Sequence, residues 1–296
     1  MRLHRLQLRP DNPATPALAS GASVTLDAYL LHNSQEFQVN RRRPAVIVCP
    51  GGGYMGLSDR EGEPIALRFA AQGYHAFVLR YAVQTLFPAP MHDLALAVRA
   101  VRAHAAEWQV DPDQIAVCGF SAGGHLCAAL GVFWDKPFIY EPLGATPEEI
   151  RPNALLLCYA LIDLLLIVSH PDGLNEAGQP VTNRQRMLNK VLGSYTPAQA
   201  SLEAYALDRH VSPATPPTFL WHTADDPIVP ALNALRFASA LDTQRVPFEL
   251  HVYGNGPHGL ALGDAVTEVD GRLLDPHAAT WLPLALEWLA RRRAQP

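Results

Sequence analysis

One serine stands between two glycines where a predicted strand meets a predicted helix. The segment Gly119-Phe120-Ser121-Ala122-Gly123 follows the apolar run from Ile115 to Cys118 and precedes a helical pattern that begins at Ala122. A strand that turns sharply into a helix leaves little room for side chains beside the serine, which accounts for the glycines. The Ser121 hydroxyl would then project above the sheet edge as a nucleophile. The alternative is a serine that only caps a helix start rich in glycine and alanine.

A serine nucleophile needs a base and an orienting acid, and candidates for both occur further along the chain. Two aspartates follow the predicted strand that ends at Trp221, and His258 follows the predicted strand that ends at Tyr253. Open α/β sheets place their sites at the carboxyl ends of their strands, and serine, acid, histidine is one of the orders in which such triads occur. We therefore predict His258 as the base.

Two adjacent aspartates, Asp225 and Asp226, compete for the role of the acid. Asp226 precedes Pro227-Ile-Val, a tight turn that would aim its carboxylate back at the histidine, and we therefore favour Asp226. Asp225 remains the alternative. The aspartate that is not the acid would cap the following helix.

Three consecutive glycines, Gly51 to Gly53, follow the predicted strand from Val46 to Cys49. Bare backbone lets N–H groups approach a substrate oxygen closely. We predict that the N–H groups of Gly52, Gly53 and Ala122 form an oxyanion hole. An alternative is the dinucleotide-binding fingerprint G-x-G-x-x-G, formed by Gly51, Gly53 and Gly56. That alternative is disfavoured because no helix opens directly after the glycines and the next predicted strand ends in Arg80-Tyr81 instead of an acid.

The elements that position these residues follow an alternating pattern. Short apolar runs predict strands buried on both faces at 45–49, 76–79, 115–118, 154–158, 218–221 and 248–253. Helical patterns lie between or after them at 64–72, 90–108, 122–133, 230–241 and 276–291. The first forty residues alternate apolar and polar side chains, which predicts half-exposed antiparallel strands. The fold class is therefore α/β, with a mainly parallel sheet and helices on both faces.

The segment 164–217 interrupts this alternation of strands and helices, since it contains no predicted buried strand. Helical patterns occupy residues 183–192 and 197–205 within it. A segment of this length needs its own structure or a function, and we interpret it as a lid over the site within a single domain, 1–296. Near the carboxyl end, an apolar set is interpreted as core, with a homodimer face as the alternative: Trp281, Leu284, Leu286, Trp288 and Leu289.

The remaining polar residues are assigned simpler roles. Asp93 is interpreted as a charge favoured by the dipole at a helix start, and His222 as a neighbour of the acid. Packing or structural roles are assigned to His75, His104, His125 and His251. No spacing of His or Cys predicts a metal site, and no cofactor is expected. The four cysteines are interpreted as buried free thiols: Cys49, Cys118, Cys127 and Cys158.

Composition excludes several classes of protein. The chain has 296 residues, 49% of them hydrophobic and 17% charged, with a formal net charge of −5. The apolar content excludes disorder, and the acidic balance argues against a nucleic-acid partner. The two arginine runs, 41–43 and 291–293, are interpreted as solvated surface or tail. Neither a signal peptide nor a membrane span is apparent, so we expect a cytoplasmic protein without a membrane partner.

Taken together, four motifs resemble those of the α/β-hydrolase esterases. They are Pro50-Gly-Gly-Gly-Tyr54, Gly119-Phe-Ser-Ala-Gly-Gly-His125, Asp226-Pro-Ile-Val-Pro230 and Gly256-Pro-His-Gly-Leu260. The set is similar to that of acetyl esterase/lipase-like carboxylesterases, including enzymes labelled acetylxylan esterase, and the resemblance runs from about Ala45 to the carboxyl terminus. It implies Ser121, Asp226 and His258 as catalytic triad and Gly52, Gly53 and Ala122 as oxyanion donors.

The resemblance implies a serine esterase that removes small acyl groups, most of all acetyl, from a sugar or similar small-molecule ester. Two alternatives remain open. One is a peptidase or amidase on the same fold, and the other is a catalytically inactive binding protein on a hydrolase scaffold.

Overall fold

A mainly parallel sheet forms the centre of the protein, of which the computed structural model describes residues 1–8 and 23–293. The strands are β1 (Arg2–Gln7), β2 (Thr25–Leu30), β3 (Arg43–Cys49), β4 (His75–Arg80), β5 (Val110–Phe120), β6 (Ala154–Cys158), β7 (Pro171–Leu174), β8 (Pro180–Thr182), β9 (Thr218–Thr223) and β10 (Phe248–Tyr253). The order in the large sheet is β1-β2-β4-β3-β5-β6-β9-β10, and β7 pairs with β8 in a separate hairpin.

Strand direction in the large sheet follows the prediction. Strands β1 and β2 run antiparallel to their neighbours, and the other six strands are mutually parallel. Each of the six predicted apolar runs lies in one of these parallel strands, which confirms the α/β fold class. The part of the predicted amino-terminal strands that falls between residues 9 and 22 lies outside the described residues.

Helices cover both faces of the sheet. They are α1 (Glu63–Ala71), α2 (Ala89–Ala103), α3 (Ala105–Trp108), α4 (Ala122–Phe133), α5 (Pro137–Tyr140), α6 (Pro147–Ile150), α7 (Asn183–Leu192), α8 (Gln199–Glu203), α9 (Leu232–Thr243) and α10 (Trp281–Arg293). The predicted helix 90–108 is interrupted at His104, whose ring Nδ1 donates to the Ala100 carbonyl at 2.9 Å. The predicted helix 276–291 begins five residues later, at Trp281, after a short 3₁₀ turn.

The core has two halves, one on each face of the sheet, because side chains alternate along every strand. In β3, Ala45, Ile47 and Cys49 join the half that contains the side chains of α2 and α4. Val46 and Val48 join the half that contains the side chains of α1 and α10. All four cysteines are buried and free, as predicted.

Two strands differ from the prediction in their burial. Strand β2 is fully buried instead of half-exposed, because it lies between β1 and β4 and contacts α1. Strand β10 is not buried on both faces: Phe248 and Val252 are exposed, since β10 is the last strand of the sheet. The two predictions are wrong for the same reason, because apolar periodicity does not report where in the sheet a strand lies.

The apolar set near the carboxyl end packs inside the protein. Trp281 is fully buried and stacks on Trp221 of β9 with ring centroids 5.5 Å apart. Trp288 and Leu289 are buried with it, and Leu284 and Leu286 pack against the same half of the core. These side chains therefore anchor α10 to the sheet.

The segment 164–217 contains the hairpin β7–β8, of which β7 is exposed, and helices α7 and α8. Helix α7 has the predicted bounds, and α8 is shorter than the predicted 197–205. Thr182 accepts a hydrogen bond from Gln185 N and Gln185 reaches back to Thr182 N, a capping box that starts α7 directly after β8. None of the described helices has the length and apolarity needed to cross a bilayer.

Candidate active site

Ser121 occupies the sharp turn between β5 and α4. Its φ of 53° lies in the left-handed region, a strained conformation for a residue with a side chain. A Cβ on Gly119 would overlap the carbonyl of Gly123, and a Cβ on Gly123 would overlap the carbonyl of Cys49. Both glycines are therefore required by backbone packing around the serine. Within the described chain, the Ser121 side chain makes no capping contact with α4.

The three predicted triad residues meet above the carboxyl edge of the sheet. Ser121 Oγ lies 2.8 Å from His258 Nε2, and His258 Nδ1 lies 2.7 Å from Asp226 Oδ2. Because a carboxylate only accepts, Nδ1 carries the proton and donates to Asp226. Nε2 is then left as the acceptor for the serine hydroxyl. This is the arrangement in which a histidine can remove a proton from a serine.

The structure brings Asp226, and not Asp225, to the histidine. The second oxygen of Asp226, Oδ1, accepts hydrogen bonds from Ile228 N at 2.8 Å and Val229 N at 2.9 Å. This is the tight turn that the sequence predicts. Asp225 accepts from Gly256 N at 2.7 Å, in the loop that carries His258. Asp225 therefore holds that loop and does not cap the following helix as predicted.

Asp226 is held in its charged form. Burial alone would raise the pKa of this carboxyl, but the neighbouring His222 and the hydrogen bonds from His258 and Val229 N outweigh burial and hold the pKa well below its usual range. His222, which is fully buried, donates from Nε2 to the Val229 carbonyl at 2.7 Å and lies 3.5 Å from Asp226 Oδ2. The predicted place of His222 beside the acid is confirmed by these contacts.

Two of the predicted oxyanion donors share a cavity with the serine, and the third follows it in the chain. Gly52 and Gly53 line the same cavity as Ser121 and His258, and both have positive φ, 127° and 63°. Ala122 is the first residue of α4, so its N–H has no acceptor within the helix. The glycine loop continues into a turn in which Gly52 accepts from Gly56 N. Helix α1 begins only at Glu63, so the immediate helix of a dinucleotide fingerprint is not found.

Sequence reasoning missed Glu61 and Tyr159. Glu61 is 3% exposed and accepts hydrogen bonds from Gly51 N at 2.8 Å and from the Tyr159 hydroxyl at 2.7 Å. The Tyr159 hydroxyl in turn accepts from Ala261 N at 3.0 Å. For Tyr159, the only signal in the sequence was its position directly after a strand end. For Glu61 there was none, because a charged residue after a glycine loop is normally expected to be exposed to solvent.

The four histidines to which packing or structural roles are assigned, His75, His104, His125 and His251, make contacts of that kind. His125 is buried, and its Nδ1 lies 2.8 Å from the Tyr54 hydroxyl. Burial lowers its pKa to about 4, so the ring is neutral. His75 accepts from Leu31 N at 3.0 Å, and burial lowers its pKa to about 4 as well. His251 contacts Glu249 at 2.8 Å.

The interpretation of Asp93 is wrong. Helix α2 begins at Ala89, so Asp93 lies beyond its first turn, and its side chain is fully buried. Asp93 Oδ2 accepts a hydrogen bond from Ala82 N at 3.0 Å. The carboxylate therefore holds the loop that follows β4, which is a tertiary role that helix position alone does not reveal.

A cavity of about 360 Å³ opens at the serine. The glycine loop and the histidine line one part of it, and five residues of the segment 164–217 line another: Ile167, Asp172, Asn183, Arg186 and Met187. Arg186 Nε donates to Asp172 Oδ2 at 2.6 Å, which ties α7 to the hairpin beside the opening. Among the described residues, no group of three or more His, Cys, Asp or Glu side chains is arranged to hold a metal ion.

Comparison with known proteins identifies related chains. The sequence profile of the BD-FAE family matches residues 26–241. An endo-1,4-beta-xylanase B from Butyrivibrio fibrisolvens is 32% identical over 249 residues, which are 82% of this chain and 36% of that protein. An acetylxylan esterase from Xylanibacter ruminicola is 29% identical over 226 residues, which are 74% of this chain and 41% of that protein. The chain thus spans less than half the length of these two relatives.

Solved structures resemble the fold over almost its whole length. An acetyl ester-xyloside bifunctional hydrolase from Caldicellulosiruptor lactoaceticus matches with a TM-score of 0.80 and 32% identity, covering 98% of this chain and 96% of that chain. A carboxylesterase from Lactobacillus plantarum matches with a TM-score of 0.79 and 29% identity, covering 99% and 98%. These likenesses confirm the predicted hydrolase fold. The chain is therefore an α/β hydrolase that belongs to the BD-FAE family, within the acetyl esterase-like group that its motifs resemble.

Proposed function

We propose that the protein is a serine carboxylesterase that removes short acyl groups, most of all acetyl, from small-molecule esters. The observation that carries this proposal is the hydrogen-bonded series from Ser121 through His258 to Asp226, with distances of 2.8 Å and 2.7 Å. A hydroxyl bonded to an unprotonated imidazole nitrogen, with the other nitrogen bonded to a buried carboxylate, is the arrangement that activates serine.

The reaction begins when Ser121 Oγ attacks the carbonyl carbon of the ester. His258 Nε2 takes the hydroxyl proton, and the Asp226 carboxylate stabilises the resulting imidazolium. The negative charge on the carbonyl oxygen is stabilised by the N–H groups of Gly52, Gly53 and Ala122. The tetrahedral intermediate collapses to an acyl-enzyme and releases the alcohol, which takes the proton from His258. Water then attacks the acyl-enzyme by the same steps and frees the acid.

The preference for a short acyl group is supported by the size of the site. A cavity of about 360 Å³ lies near the lower end of the usual range for ligand pockets, and it must hold both the acyl group and part of the alcohol. The names of two relatives, an acetylxylan esterase and an acetyl ester-xyloside bifunctional hydrolase, point to acetyl esters of sugars as the first substrates to test.

The segment 164–217 acts as a lid in this proposal. Its cavity-lining side chains come from the loop before β7, from β7 itself and from α7. In this proposal the segment belongs to the single domain 1–296 and controls which alcohols reach Ser121.

The test is hydrolysis of p-nitrophenyl acetate, butyrate and octanoate by the wild type and by Ser121→Ala. We expect acetate to be the best substrate and the variant to lose roughly 10⁴-fold or more in kcat, as removal of a triad nucleophile does elsewhere. An acyl anilide is measured alongside. Ester turnover that survives in Ser121→Ala would contradict the nucleophile, and faster cleavage of the anilide than of the esters would favour an amidase.

A further inference from the structure

A buried bridge connects the two loops on which the proposed reaction depends. One loop, residues 50–57, carries the oxyanion glycines, and the other, residues 254–262, carries His258. Neither loop is part of a helix or a strand, so side-chain contacts between them can help to fix the distance between them. That distance matters because the oxyanion donors and the imidazole act on the same tetrahedral centre.

The bridge consists of three consecutive hydrogen bonds. Gly51 N donates to Glu61 Oε2 at 2.8 Å, the Tyr159 hydroxyl donates to Glu61 Oε1 at 2.7 Å, and Ala261 N donates to the Tyr159 oxygen at 3.0 Å. Gly51 directly precedes Gly52, and Ala261 is three residues after His258. Arg60 adds a parallel contact, since its Nη1 donates to the carbonyl of Gly259 at 2.8 Å.

Burial makes these contacts consequential. Glu61 is 3% exposed and Tyr159 is 2% exposed, so water does not replace a lost partner at low cost. Burial, together with the neighbouring Glu61, raises the pKa of the Tyr159 hydroxyl well above its usual value. The phenol therefore stays protonated and keeps donating to the carboxylate. The Tyr159 ring also packs edge-on against the His258 ring, with centroids 5.1 Å apart.

We propose that Glu61 and Tyr159 are positioning residues for ester hydrolysis, which set the oxyanion N–H groups and the His258 imidazole at a fixed separation. This inference rests on the proposed esterase function. Neither side chain is assigned contact with the reacting atoms: both act through the backbone of the two loops, and the Tyr159 ring acts also through its packing against His258. Their contribution belongs to the transition state, where the separation matters, and not to the binding of the ester.

Two conservative variants test this. Tyr159→Phe removes one hydroxyl and leaves Ala261 N and Glu61 Oε1 without their partner. Glu61→Gln keeps the shape, but its amide nitrogen must face either Gly51 N–H, which places two donors together, or the Tyr159 hydroxyl, whose own proton then loses its acceptor. The matched control is Tyr253→Phe, a buried tyrosine whose hydroxyl contacts Thr280, outside the bridge.

The first readout is the separation of kcat from KM on p-nitrophenyl acetate, with thermal unfolding to show that each variant is folded. We expect kcat to fall about 10- to 100-fold in Tyr159→Phe and in Glu61→Gln, with KM within about twofold. The double variant should be no worse than about threefold below the poorer single variant, because both break the same bridge. Folded variants with wild-type kcat, or with only KM raised, would overturn the inference.

The second readout is independent of turnover. Hydrogen exchange by mass spectrometry should speed up in peptides covering residues 50–57 and 256–262 together in Tyr159→Phe, and in neither peptide in Tyr253→Phe. Unchanged exchange in both peptides would overturn the bridge itself. Coupled exchange in a protein whose wild type hydrolyses no ester would instead refute the esterase function and, with it, the catalytic part of the inference.

Discussion

Replacing Asp226 by asparagine tests the reasoning about the triad more sharply than removing the serine. In the variant, the amide oxygen must take over the two backbone donors, Ile228 N and Val229 N, which lie 2.8 Å and 2.9 Å from Oδ1. The amide nitrogen then faces His258 Nδ1 and can only donate. His258 is forced to carry its proton on Nε2, where it points at Ser121 and cannot accept the hydroxyl proton.

The size of the effect follows from this change of tautomer. Comparable triad substitutions lower kcat by about 10⁴, which corresponds to about 5 kcal/mol in the activation free energy. The fold should survive, since both backbone contacts of the turn are kept. We therefore expect Asp226→Asn to bind p-nitrophenyl acetate with a KM near that of the wild type and to hydrolyse it about 10⁴-fold more slowly.

Asp225→Asn is the matched control, because its amide oxygen can still accept from Gly256 N. We expect it to retain kcat within about tenfold of the wild type, since no triad contact changes. The assay is steady-state hydrolysis at neutral pH, with circular dichroism to compare the folds. A kcat within tenfold of the wild type in Asp226→Asn, or an equal loss of activity in Asp225→Asn, would contradict the role of Asp226 in setting the His258 tautomer.

Two further predictions concern stability. Gly123→Ala should lower the free energy of unfolding by about 3 kcal/mol or more, because the new Cβ would overlap the Cys49 carbonyl. The loss is expected although alanine normally favours a helix. The measurement is a urea titration, with Gly56→Ala as the control, since a Cβ on Gly56 meets open space. The unfolding free energy should also fall as pH decreases from 6.5 to about 4. In the folded protein, burial lowers the pKa values of His75 and His125 to about 4, so these rings stay neutral in this pH range. In the unfolded chain both rings bind protons, which favours unfolding. Each histidine accounts for up to about 3 kcal/mol, so His75→Gln should show a visibly flatter pH dependence in the same titration, and an unchanged slope would contradict this assignment.

The meeting of Ser121, His258 and Asp226 was predictable because each of these residues follows a strand whose apolar run is unmistakable. The segments ending at Cys118, Trp221 and Tyr253 all identify carboxyl ends of parallel strands, and these ends meet at one edge of the sheet. The choice between Asp225 and Asp226 was also accessible, since Pro227 marks the turn. Local sequence is sufficient where a side chain is positioned by its own strand end.

Positions that depend on a distant partner were not predictable in this way. Glu61 lies in a charged stretch that reads as exposed, yet Tyr159, almost a hundred residues later, buries it. Asp93 reads as a helix-start charge, yet it holds the loop at Ala82. The exposure of β10 depends on its place at the end of the sheet order, which no local pattern encodes. The roles of Glu61 and Asp93 and the exposure of β10 are set by which helices, strands and loops pack together in the folded protein.

The distribution of the site over the sheet has a consequence for how the protein acquires activity. The glycine loop follows β3, Ser121 follows β5, Tyr159 follows β6, Asp226 follows β9 and His258 follows β10. Because these strands are joined through contacts far apart in the chain, we expect the site to assemble late in folding. Helical signal should therefore return during refolding before ester turnover does. The time at which turnover recovers would then report when β10, the last strand of the sheet, pairs with β9. A chain that ends before β10 would lack His258 and would therefore have no esterase activity, even where the rest of it folds.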